Sequence, residues 1–393
     1  MTGVQELESA SPTTHLDSQT AYRLLSDPDV DLDVLRRAAQ RLNLAINGNR
    51  VTYIVNRNLN FTNVCMMGCT FCGFARAKGS SEESTFDPDE AIERLAATPN
   101  VSEICMQGGI HPDLDYAYYR NLICRVHEVF PSVHIHAFSP QEIHRMTELS
   151  GMTAREVLGD LMEYGLGSIA GTAAEILDDR LRAVICPNKI RSARWEEIVR
   201  TAHALGMRFP ATIMFGHVES PRDHVAHLEF IRRIQRETGG FTEFIPLPFV
   251  PWRTRLGREH HIADMISMDY LKRFYAVCRL FFGRLLGNLQ VSWVKLGVEN
   301  ALTLLDWGAN DFGGTLHEEN ITRTAGGRHG VALTVAQIRA AIERTGRRPV
   351  RRDTQYHLYD TPEPEPGEAL ACAAPSSASI AQAATSGADQ WEG

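Results

Sequence analysis

Residues 51–74 read VTYIVNRNLNFTNVCMMGCTFCGF, an apolar stretch that runs directly into a loop with three cysteines. The first part, VTYIVNRNLNFTN (51–63), is rich in the β-branched and aromatic residues that are typical of a strand. Cys65, Cys69 and Cys72 then form a C-x-x-x-C-x-x-C pattern. Thiolates are soft ligands that favour iron–sulfur clusters, zinc or copper(I). The segment therefore predicts a strand followed by a metal-binding loop.

Outward from this segment, short apolar strands alternate with amphipathic helices along the chain. Strands that alternate with helices predict a parallel sheet, and eight strands predict an α/β fold, the (β/α)8 barrel of the TIM type. After the first strand, the further strands are predicted at 103–109, 132–138, 165–171, 211–217, 241–249, 289–297 and 306–311.

The domain organisation follows from changes in composition. We expect the barrel domain with its C-terminal helices over residues 51–355, preceded by a helical extension at 18–50. Residues 1–17 are small and polar, and residues 361–393 are rich in Pro, Ala, Ser and Gly. Segments of that composition cannot bury enough apolar surface to fold, so both are predicted to be disordered.

Charge and cysteine usage narrow the class of protein. The net charge of −8 argues against a nucleic-acid surface and against an anionic membrane partner. There is no run of 18 apolar residues, and the N-terminal segment lacks the apolar region of a signal peptide. Of the 8 cysteines, three are clustered and the others are scattered singly, unlike a disulfide scaffold. The sequence thus predicts an enzyme of the reducing cytoplasm with thiolates kept for a metal.

The three clustered cysteines leave two interpretations open. Structural zinc normally takes four protein ligands, so a non-catalytic zinc site would need a distant fourth ligand such as Cys105 or His111. No second C-x-x-C or H-x-x-x-H pair is present to complete it. The alternative is a [4Fe–4S] cluster, in which three thiolates leave one iron free to chelate a small molecule.

The cysteine spacing, with Phe71 directly before the last cysteine, resembles the radical S-adenosylmethionine (SAM) superfamily. That superfamily places the motif directly after a first strand, as here. The resemblance implies that Cys65, Cys69 and Cys72 ligate a [4Fe–4S] cluster whose open iron binds the amino and carboxylate groups of SAM. It also implies that an electron from the cluster cleaves SAM to give a 5′-deoxyadenosyl radical.

Two glycine-rich segments are candidates for contact with SAM. MQGG (106–109) ends the second strand, where the superfamily places a glycine-rich segment against the amino group of SAM. The resemblance implies this role for Gln107, Gly108 and Gly109, although a glycine turn at a strand end is the alternative. Gly171 would let the chain approach adenosine, and Glu175 would meet polar groups of SAM. The alternative for Glu175 is a capping box in which it bonds the start of its own helix at Thr172.

Candidates for substrate contact lie at or near predicted strands. His134 and His136 are two apart, so both point to the same face of a strand. A hydrogen-bonded histidine of the barrel layer is the alternative. His217, Glu243 and Asn310 lie near strand ends, where barrel enzymes collect functional residues. For Asn310 a turn is the alternative, and no catalytic acid, base or nucleophile is identified.

Longer stretches resemble one radical SAM subgroup, whose members make deazaflavin, the coenzyme F-420 precursor, or menaquinone by the futalosine route. Within it, SWVKLG (292–297) and AGGRHG (325–330) resemble the tyrosine-using subunit of the deazaflavin synthase. Two positions differ from that pattern: Gly73 stands where alanine is common and His317 where methionine is common. The other matching stretches are 55–65, 105–114, 134–140, 167–179, 240–250 and 308–326.

The subgroup resemblance implies a reaction and its partners. The Cα–Cβ bond of L-tyrosine would break, and its 4-hydroxybenzyl group would add to carbon 5 of 5-amino-6-(D-ribitylamino)uracil. A one-electron donor would supply the cluster, and a second radical SAM subunit would close the deazaflavin ring. The alternatives within the subgroup are cyclic dehypoxanthinylfutalosine synthase and aminofutalosine synthase.

Overall fold

The computed structural model describes residues 11, 13, 15–98 and 100–359. The tail predicted at 361–393 and most of the N-terminal segment predicted at 1–17 lie outside the described residues. The strands are β1 (Arg50–Ile54), β2 (Asn56–Leu59), β3 (Glu103–Met106), β4 (His134–Ala137), β5 (Leu166–Ser168), β6 (Phe209–Phe215), β7 (Phe241–Pro248), β8 (Asp311–Gly314), β9 (Arg348–Arg352) and β10 (Leu358–Tyr359). The helices are α1 (Ser18–Ser26), α2 (Leu32–Asn47), α3 (Pro88–Ala96), α4 (Tyr116–Val129), α5 (Pro140–Ser150), α6 (Ala154–Glu163), α7 (Asp179–Ile185), α8 (Ser192–Ala204), α9 (Pro221–Thr238), α10 (Arg255–Glu259), α11 (Met268–Phe282), α12 (Trp293–Leu296), α13 (Val298–Leu305), α14 (Asn320–Thr324) and α15 (Val335–Glu343).

Parallel pairing carries the chain around a barrel. β1 and β2 are one strand interrupted at Val55, and β2 pairs in parallel with β3, β3 with β4, and β4 with β5. β6 pairs with β7, and residues 289–291 bridge β7 to β8 through single parallel contacts. β8 returns to β1 and closes the ring. The predicted barrel of the TIM type is confirmed.

Between β5 and β6, where the described residues form no strand ladder, loop contacts join the ring. The Thr212 hydroxyl donates to the Gly171 carbonyl at 2.8 Å, and the Met214 N–H donates to the Glu175 carbonyl at 2.7 Å. A Cβ added to Gly171 would lie 1.7 Å from the Pro210 carbonyl oxygen, so only glycine allows this approach. Gly171 therefore closes the barrel wall.

Two predicted strands differ from the observed ones. The strand predicted at 289–297 is extended only over its first residues, because Trp293–Leu296 turn into the short helix α12. The Trp293 indole N–H donates to the Gly314 carbonyl at 2.9 Å, which secures that turn against β8. The strand predicted at 306–311 begins only at Asp311, because Gly308 has a φ of 102° and the chain turns there.

The N-terminal helices α1 and α2 cover the outside of the barrel by packing on α9 and α11. Arg273 of α11 donates to the Asp27 carbonyl at 2.6 Å, and Arg232 of α9 donates to the Leu16 carbonyl at 2.6 Å. Across the described ranges, none of the helices is both long enough and apolar enough to cross a membrane.

The strands β9 and β10 were not expected from the sequence, and they close the floor of the barrel. β9 pairs in parallel with β1 on the side opposite β8, and β10 folds back on β9. Arg352, at the end of β9, is buried with its Nε 2.6 Å from Asp311 and an Nη 3.3 Å from Glu243. The Tyr356 hydroxyl donates to Glu243 in the same group, which we term the floor cluster: Glu243, Asp311, Arg352 and Tyr356.

Candidate active site

A cavity of about 250 Å³ opens at the carboxyl ends of the barrel strands. Catalytic sites of these barrels lie at that end, because the loops after the strands converge there. All three clustered cysteines line the cavity. The other polar or glycine residues of its lining are Gly73, Gln107, Gly108, Gly109, Ser139, Gln141, Glu142, Thr172, Glu175, Lys189, Thr212 and Lys295.

The cysteine loop is tied to its surroundings by backbone hydrogen bonds. The N–H of Cys65 donates to the Arg76 carbonyl at 3.0 Å, and the N–H of Thr70 donates to the Ile185 carbonyl at 2.8 Å. The N–H of Cys72 donates to the Cys69 carbonyl at 3.2 Å, which makes a tight turn between these ligands. The N–H of Ala75 donates to the Cys72 sulfur at 3.4 Å. Hydrogen bonds to ligand sulfur tune the potential of an iron–sulfur cluster.

The chemistry of the thiols fits a metal cluster. Burial raises the pKa of Cys69 well above its ordinary value, against the opposing effect of Lys189. Burial also raises the pKa of Cys72. A buried thiol is inert until a metal takes up the thiolate, so binding of the cluster supplies the free energy that deprotonation costs.

The two glycines after β3 pack so closely against neighbouring residues that no larger residue would fit at either position. We term them the glycine wall. A Cβ on Gly109 would lie 2.2 Å from the Val64 carbonyl oxygen and 2.8 Å from the Cys65 Cβ. A Cβ on Gly108 would lie 2.5 Å from the Phe61 ring. Gln107 turns toward the next loop, where its amide donates to the Thr172 hydroxyl at 2.6 Å. These glycines keep the β3 loop against the cysteine loop.

Glu175 lies in the cavity with one oxygen unsatisfied. Its Oε1 is 2.7 Å from the Lys189 ammonium, whereas its buried Oε2 accepts no hydrogen bond from the described residues and has the Arg182 guanidinium 3.7 Å away. The residue has a φ of 38°, a left-handed conformation that costs free energy outside glycine. The capping box suggested at Thr172 does not form, because the next helix begins at Asp179. A buried carboxylate oxygen that accepts no hydrogen bond fits a ligand with amino or hydroxyl donors.

Phe71 and Lys189 meet beside this carboxylate. The Lys189 ammonium lies 5.6 Å from the centre of the Phe71 ring. Burial lowers the pKa of Lys189, but Glu175, Cys69 and Cys186 together outweigh it, so the pKa lies above its ordinary value. With the thiols, the glycine wall and Glu175, these residues fit a [4Fe–4S] cluster with a bound SAM.

Glu142 is a cavity residue that the sequence did not single out. It forms a capping box with Ser139 at the start of α5, and its other oxygen accepts from the Gly108 N–H at 3.0 Å. Burial raises the pKa of Glu142 to about 7, although these hydrogen bonds oppose the shift. Only its pairing with the β3 loop distinguishes it from an ordinary cap, and nothing in the local sequence indicates that pairing.

The two predicted histidines of β4 lie away from the cavity lining. Both rings contact the Ser168 hydroxyl at 2.7 Å, His134 through Nε2 and His136 through Nδ1. Burial lowers the pKa of His136 to about 4, so it is neutral near pH 7. The structure thus brings the pair together on one face, but as partners of Ser168 in the barrel interior. A contact with substrate stays a prediction that no distance supports.

The remaining predicted substrate residues also lie outside the cavity lining. Glu243 belongs to the floor cluster, where burial raises its pKa to about 7 against the opposing Arg352. The Asn310 side chain accepts from the Leu289 N–H at 2.8 Å and from Arg279 at 2.8 Å, which secures the bridging strand. The His217 side chain is fully buried, with its Nδ1 2.6 Å from Glu219. For all three residues a contact with substrate stays a prediction.

Gly73 and His317, which differ from the subgroup pattern, have separate settings. A Cβ on Gly73 would lie 2.8 Å from the Ala325 Cα, so this glycine lets the cysteine loop touch the segment after α14. His317 has a φ of 35° and lies between Leu316 and Glu318, which are also left-handed. His317 does not line the cavity, so the departure at this position leaves the cavity wall unchanged.

Fold and site together define the class, and the chain is a radical SAM enzyme. The Radical SAM superfamily model matches residues 59–231, and the model of the CofH/MqnC C-terminal region matches residues 238–365. Radical SAM enzymes use a [4Fe–4S] cluster and SAM, as the cysteine pattern implied.

Among solved structures, methylornithine synthase (PylB) has a TM-score of 0.67 at 17% identity, covering 88% of this chain and 96% of that chain. The hydrogenase maturase HydG from Carboxydothermus hydrogenoformans has a TM-score of 0.67 at 15% identity, covering 90% of this chain and 79% of that chain. Both likenesses show the barrel fold.

The chain belongs to the family of the 5-amino-6-(D-ribitylamino)uracil–L-tyrosine 4-hydroxyphenyl transferases. The relative of that name from Methanothermobacter thermautotrophicus is 42% identical, covering 87% of this chain and 94% of the relative. The one from Archaeoglobus fulgidus is 43% identical, covering 82% of this chain and 93% of the relative. FO synthase from Mycobacterium tuberculosis is 45% identical over 83% of this chain, but the match spans only 38% of that longer protein. The predicted resemblance to the tyrosine-using subunit is confirmed.

Proposed function

We propose that this chain transfers the 4-hydroxybenzyl group of L-tyrosine to 5-amino-6-(D-ribitylamino)uracil in deazaflavin biosynthesis. The observation that carries the proposal is a cavity lined by all three cysteines in a chain of this transferase family. When bound, a [4Fe–4S] cluster with SAM supplies a carbon radical that can remove hydrogen from an unactivated position.

The chain's own residues would hold and enclose these groups. Cys65, Cys69 and Cys72 would hold the cluster, and the Gly108–Gly109 wall would keep the β3 loop close to it. The Oε2 of Glu175, which accepts no hydrogen bond from the described residues, would accept one from SAM, while Lys189 pairs with Oε1. Phe71 and Gln107 would complete the SAM site, and Gly171 would act through the closure of the wall.

The barrel encloses the reaction on its far side. Met214, Leu247, Phe249 and Val250 form an apolar wall from β6 and β7. Such a wall excludes water and fits the aromatic ring of tyrosine. The buried floor cluster closes the other end of the barrel, so substrates would enter only from the mouth.

The proposal extends to domain limits, partners and compartment. We propose that residues 51–355 form the catalytic domain and residues 18–50 its helical cover. A second radical SAM subunit would close the deazaflavin ring, and a one-electron donor of the reducing cytoplasm would feed the cluster.

A single-turnover assay tests the reaction. The chain is reconstituted anaerobically with iron and sulfide and incubated with SAM, L-tyrosine, 5-amino-6-(D-ribitylamino)uracil and a chemical reductant. We expect 5′-deoxyadenosine and a hydroxybenzyl adduct of the uracil, with neither the adduct nor a rise in 5′-deoxyadenosine when tyrosine is omitted. Turnover of dehypoxanthine futalosine instead would favour the menaquinone-route alternative and contradict the proposal.

A further inference from the structure

The cavity has two chemically different walls. The loops after β1–β2, β3, β4 and β5 contribute the cysteines and the acids Glu142 and Glu175. The segments from β6 onward contribute mainly apolar side chains, with one cation, Lys295, from α12. The order of strands around the barrel places these two sets on different sides of the mouth.

The two lysines of the cavity lining differ in their partners. The Lys189 ammonium is 2.7 Å from the Glu175 carboxylate, so its charge is neutralised within the chain. Lys295 also lines the cavity, but no carboxylate of the described residues lies within 4 Å of its ammonium and no hydrogen bond to it is formed there. Glu319 is the acid whose charge raises the pKa of Lys295. Its carboxylate instead caps α14 by accepting from the Thr322 N–H at 3.1 Å.

The backbone holds Lys295 firmly at this position. The preceding Val291 N–H donates to the Asp311 carbonyl at 2.9 Å, and the Trp293 indole is buried against β8. The Gly297 N–H closes α12 by donating to the Trp293 carbonyl at 2.7 Å. Burial lowers the pKa of Lys295, and Glu319 only partly opposes the shift. An ammonium that is enclosed without a counter-ion is a site for an anionic group of a ligand.

The proposed substrates differ in whether they carry such a group. L-Tyrosine has a carboxylate next to the Cα–Cβ bond that breaks, whereas the ribityl-uracil has none. The carboxylate of SAM is expected at the open iron, beside the loop that carries the cysteines. A tyrosine held by its carboxylate at Lys295 would lay its ring toward the apolar wall of Leu247 and Phe249.

We propose that Lys295 binds the α-carboxylate of L-tyrosine and thereby sets the enzyme's choice of an amino acid over the corresponding amine. This inference rests on the function proposed above. It makes Lys295 a specificity-determining residue, since the contact fixes Cα in the cavity without taking part in bond cleavage.

Tyramine, which is tyrosine without the carboxylate, provides the probe. The dissociation constants of L-tyrosine and tyramine are measured anaerobically by calorimetry on the cluster-loaded, SAM-bound enzyme. In Lys295→Met we expect tyrosine binding to weaken on the order of 10- to 100-fold, because a charge-assisted contact is lost. Tyramine binding should change by less than about threefold, within the usual range for a substitution that removes no contact. Lys295→Arg should retain the preference for tyrosine, because it keeps the cation.

Matched variants and outcomes separate this inference from the proposed function. Lys272→Met removes a lysine from the outer face of α11, where it pairs with Asp269 at 3.2 Å, and should leave both affinities unchanged. An unchanged tyrosine-to-tyramine ratio in Lys295→Met would overturn the inference, as would an equal loss of both ligands or a loss confined to SAM. If the wild-type chain makes the adduct while the ratio is unchanged, only the inference fails. If the wild-type chain neither binds tyrosine nor makes the adduct, the proposed function fails first.

Discussion

At the floor of the barrel the Arg352 guanidinium lies 2.6 Å from Asp311 and 3.3 Å from Glu243, whereas at the mouth the Lys295 ammonium has no carboxylate of the described residues within 4 Å. Both ends enclose charged groups in a largely apolar barrel. At the floor, a hydroxyl from Tyr356 completes the set of partners. At the mouth, one oxygen of Glu175 accepts no hydrogen bond from the described residues, although the Arg182 guanidinium lies 3.7 Å from it.

This difference separates stability from function. A buried charge is costly unless it is paired, so the chain neutralises its own charges where nothing needs to bind. Groups left without partners at the mouth retain that cost until a ligand meets them. Barrel enzymes generally place function at the carboxyl ends of their strands and structural residues at the other end.

Removal of a cysteine should have the largest effect and should leave the floor unaffected. We expect Cys69→Ala to reduce cluster content and activity below detection, because two thiolates cannot replace three ligands at the cluster. Iron content, visible absorbance and circular dichroism would measure cluster and fold. Cys124→Ala, which removes a partly buried thiol from α4 away from the cavity, is the matched control and should retain iron. Full iron content in Cys69→Ala would contradict the ligand assignment.

Substitution of Gly109, which packs against the cysteine loop, should have the next largest effect. Gly109→Ala would place a Cβ 2.2 Å from the Val64 carbonyl oxygen, so the cysteine loop must shift. We expect iron content to fall roughly tenfold or more, as overpacking against backbone typically costs. Gly159→Ala in α6 meets nothing within 4 Å and should stabilise the chain by about 0.5–1 kcal/mol. Normal cluster loading in Gly109→Ala would show that the two loops can separate.

Substitution within the floor cluster should lower the free energy of unfolding and leave the residues at the mouth of the barrel in place. Arg352→Met leaves Asp311 and Glu243 buried without their cation, which should cost roughly 3–5 kcal/mol in the free energy of unfolding. Denaturant titration would measure this cost. Arg344→Met removes one partner of an exposed pair with Glu299 and should cost about 0–1 kcal/mol. Equal losses in the two variants would remove the distinction between a paired floor and an ordinary surface pair.

The pH dependence of stability should show a smaller contribution from the floor. The pKa of Glu243 is raised from 4.5 to about 7, so between these values the folded chain binds more protons than the unfolded chain. The stability it contributes is therefore fully present below its unfolded pKa and is lost as the pH rises through about 7. From about pH 5 to about pH 8 we expect wild type to lose on the order of 1–3 kcal/mol more than Glu243→Gln. Parallel curves for the two proteins would show that Glu243 does not titrate in this range.

The barrel and the use of a [4Fe–4S] cluster could be predicted because their signals are local. A strand shows its periodicity within a few residues, and the three cysteines lie in one loop. His134 and His136 are two residues apart, which correctly indicated that they share a face of the strand, since both contact Ser168. Spacing does not indicate whether that face meets the cavity or the interior below it. The same limit applies to Glu243, whose position near a strand pointed to substrate although its partners belong to the floor.

The boundaries near the seventh and eighth strands could not be predicted for a related reason. The alternating residues of 289–297 fit a strand, but the hydrogen bond from the Trp293 indole to Gly314 favours a helical turn. That turn is what carries Lys295 to the cavity. Glu142 likewise has the local signature of a helix cap, and its contact with the Gly108 N–H comes from a neighbouring loop.

The linear order of residues was sufficient to establish the strand–helix alternation, the three-cysteine motif and the resemblance to the tyrosine-using radical SAM enzymes. These features depend on periodicity and on spacing within single segments. Whether a buried charge is neutralised depends on which distant segment is folded against it. Arg352 reaches Asp311 and Glu243 because β9 pairs with β1, while no acid reaches Lys295 because Glu319 is engaged by α14. The tertiary structure therefore pairs the buried charges at the floor with one another and leaves Lys295 at the mouth available to a ligand.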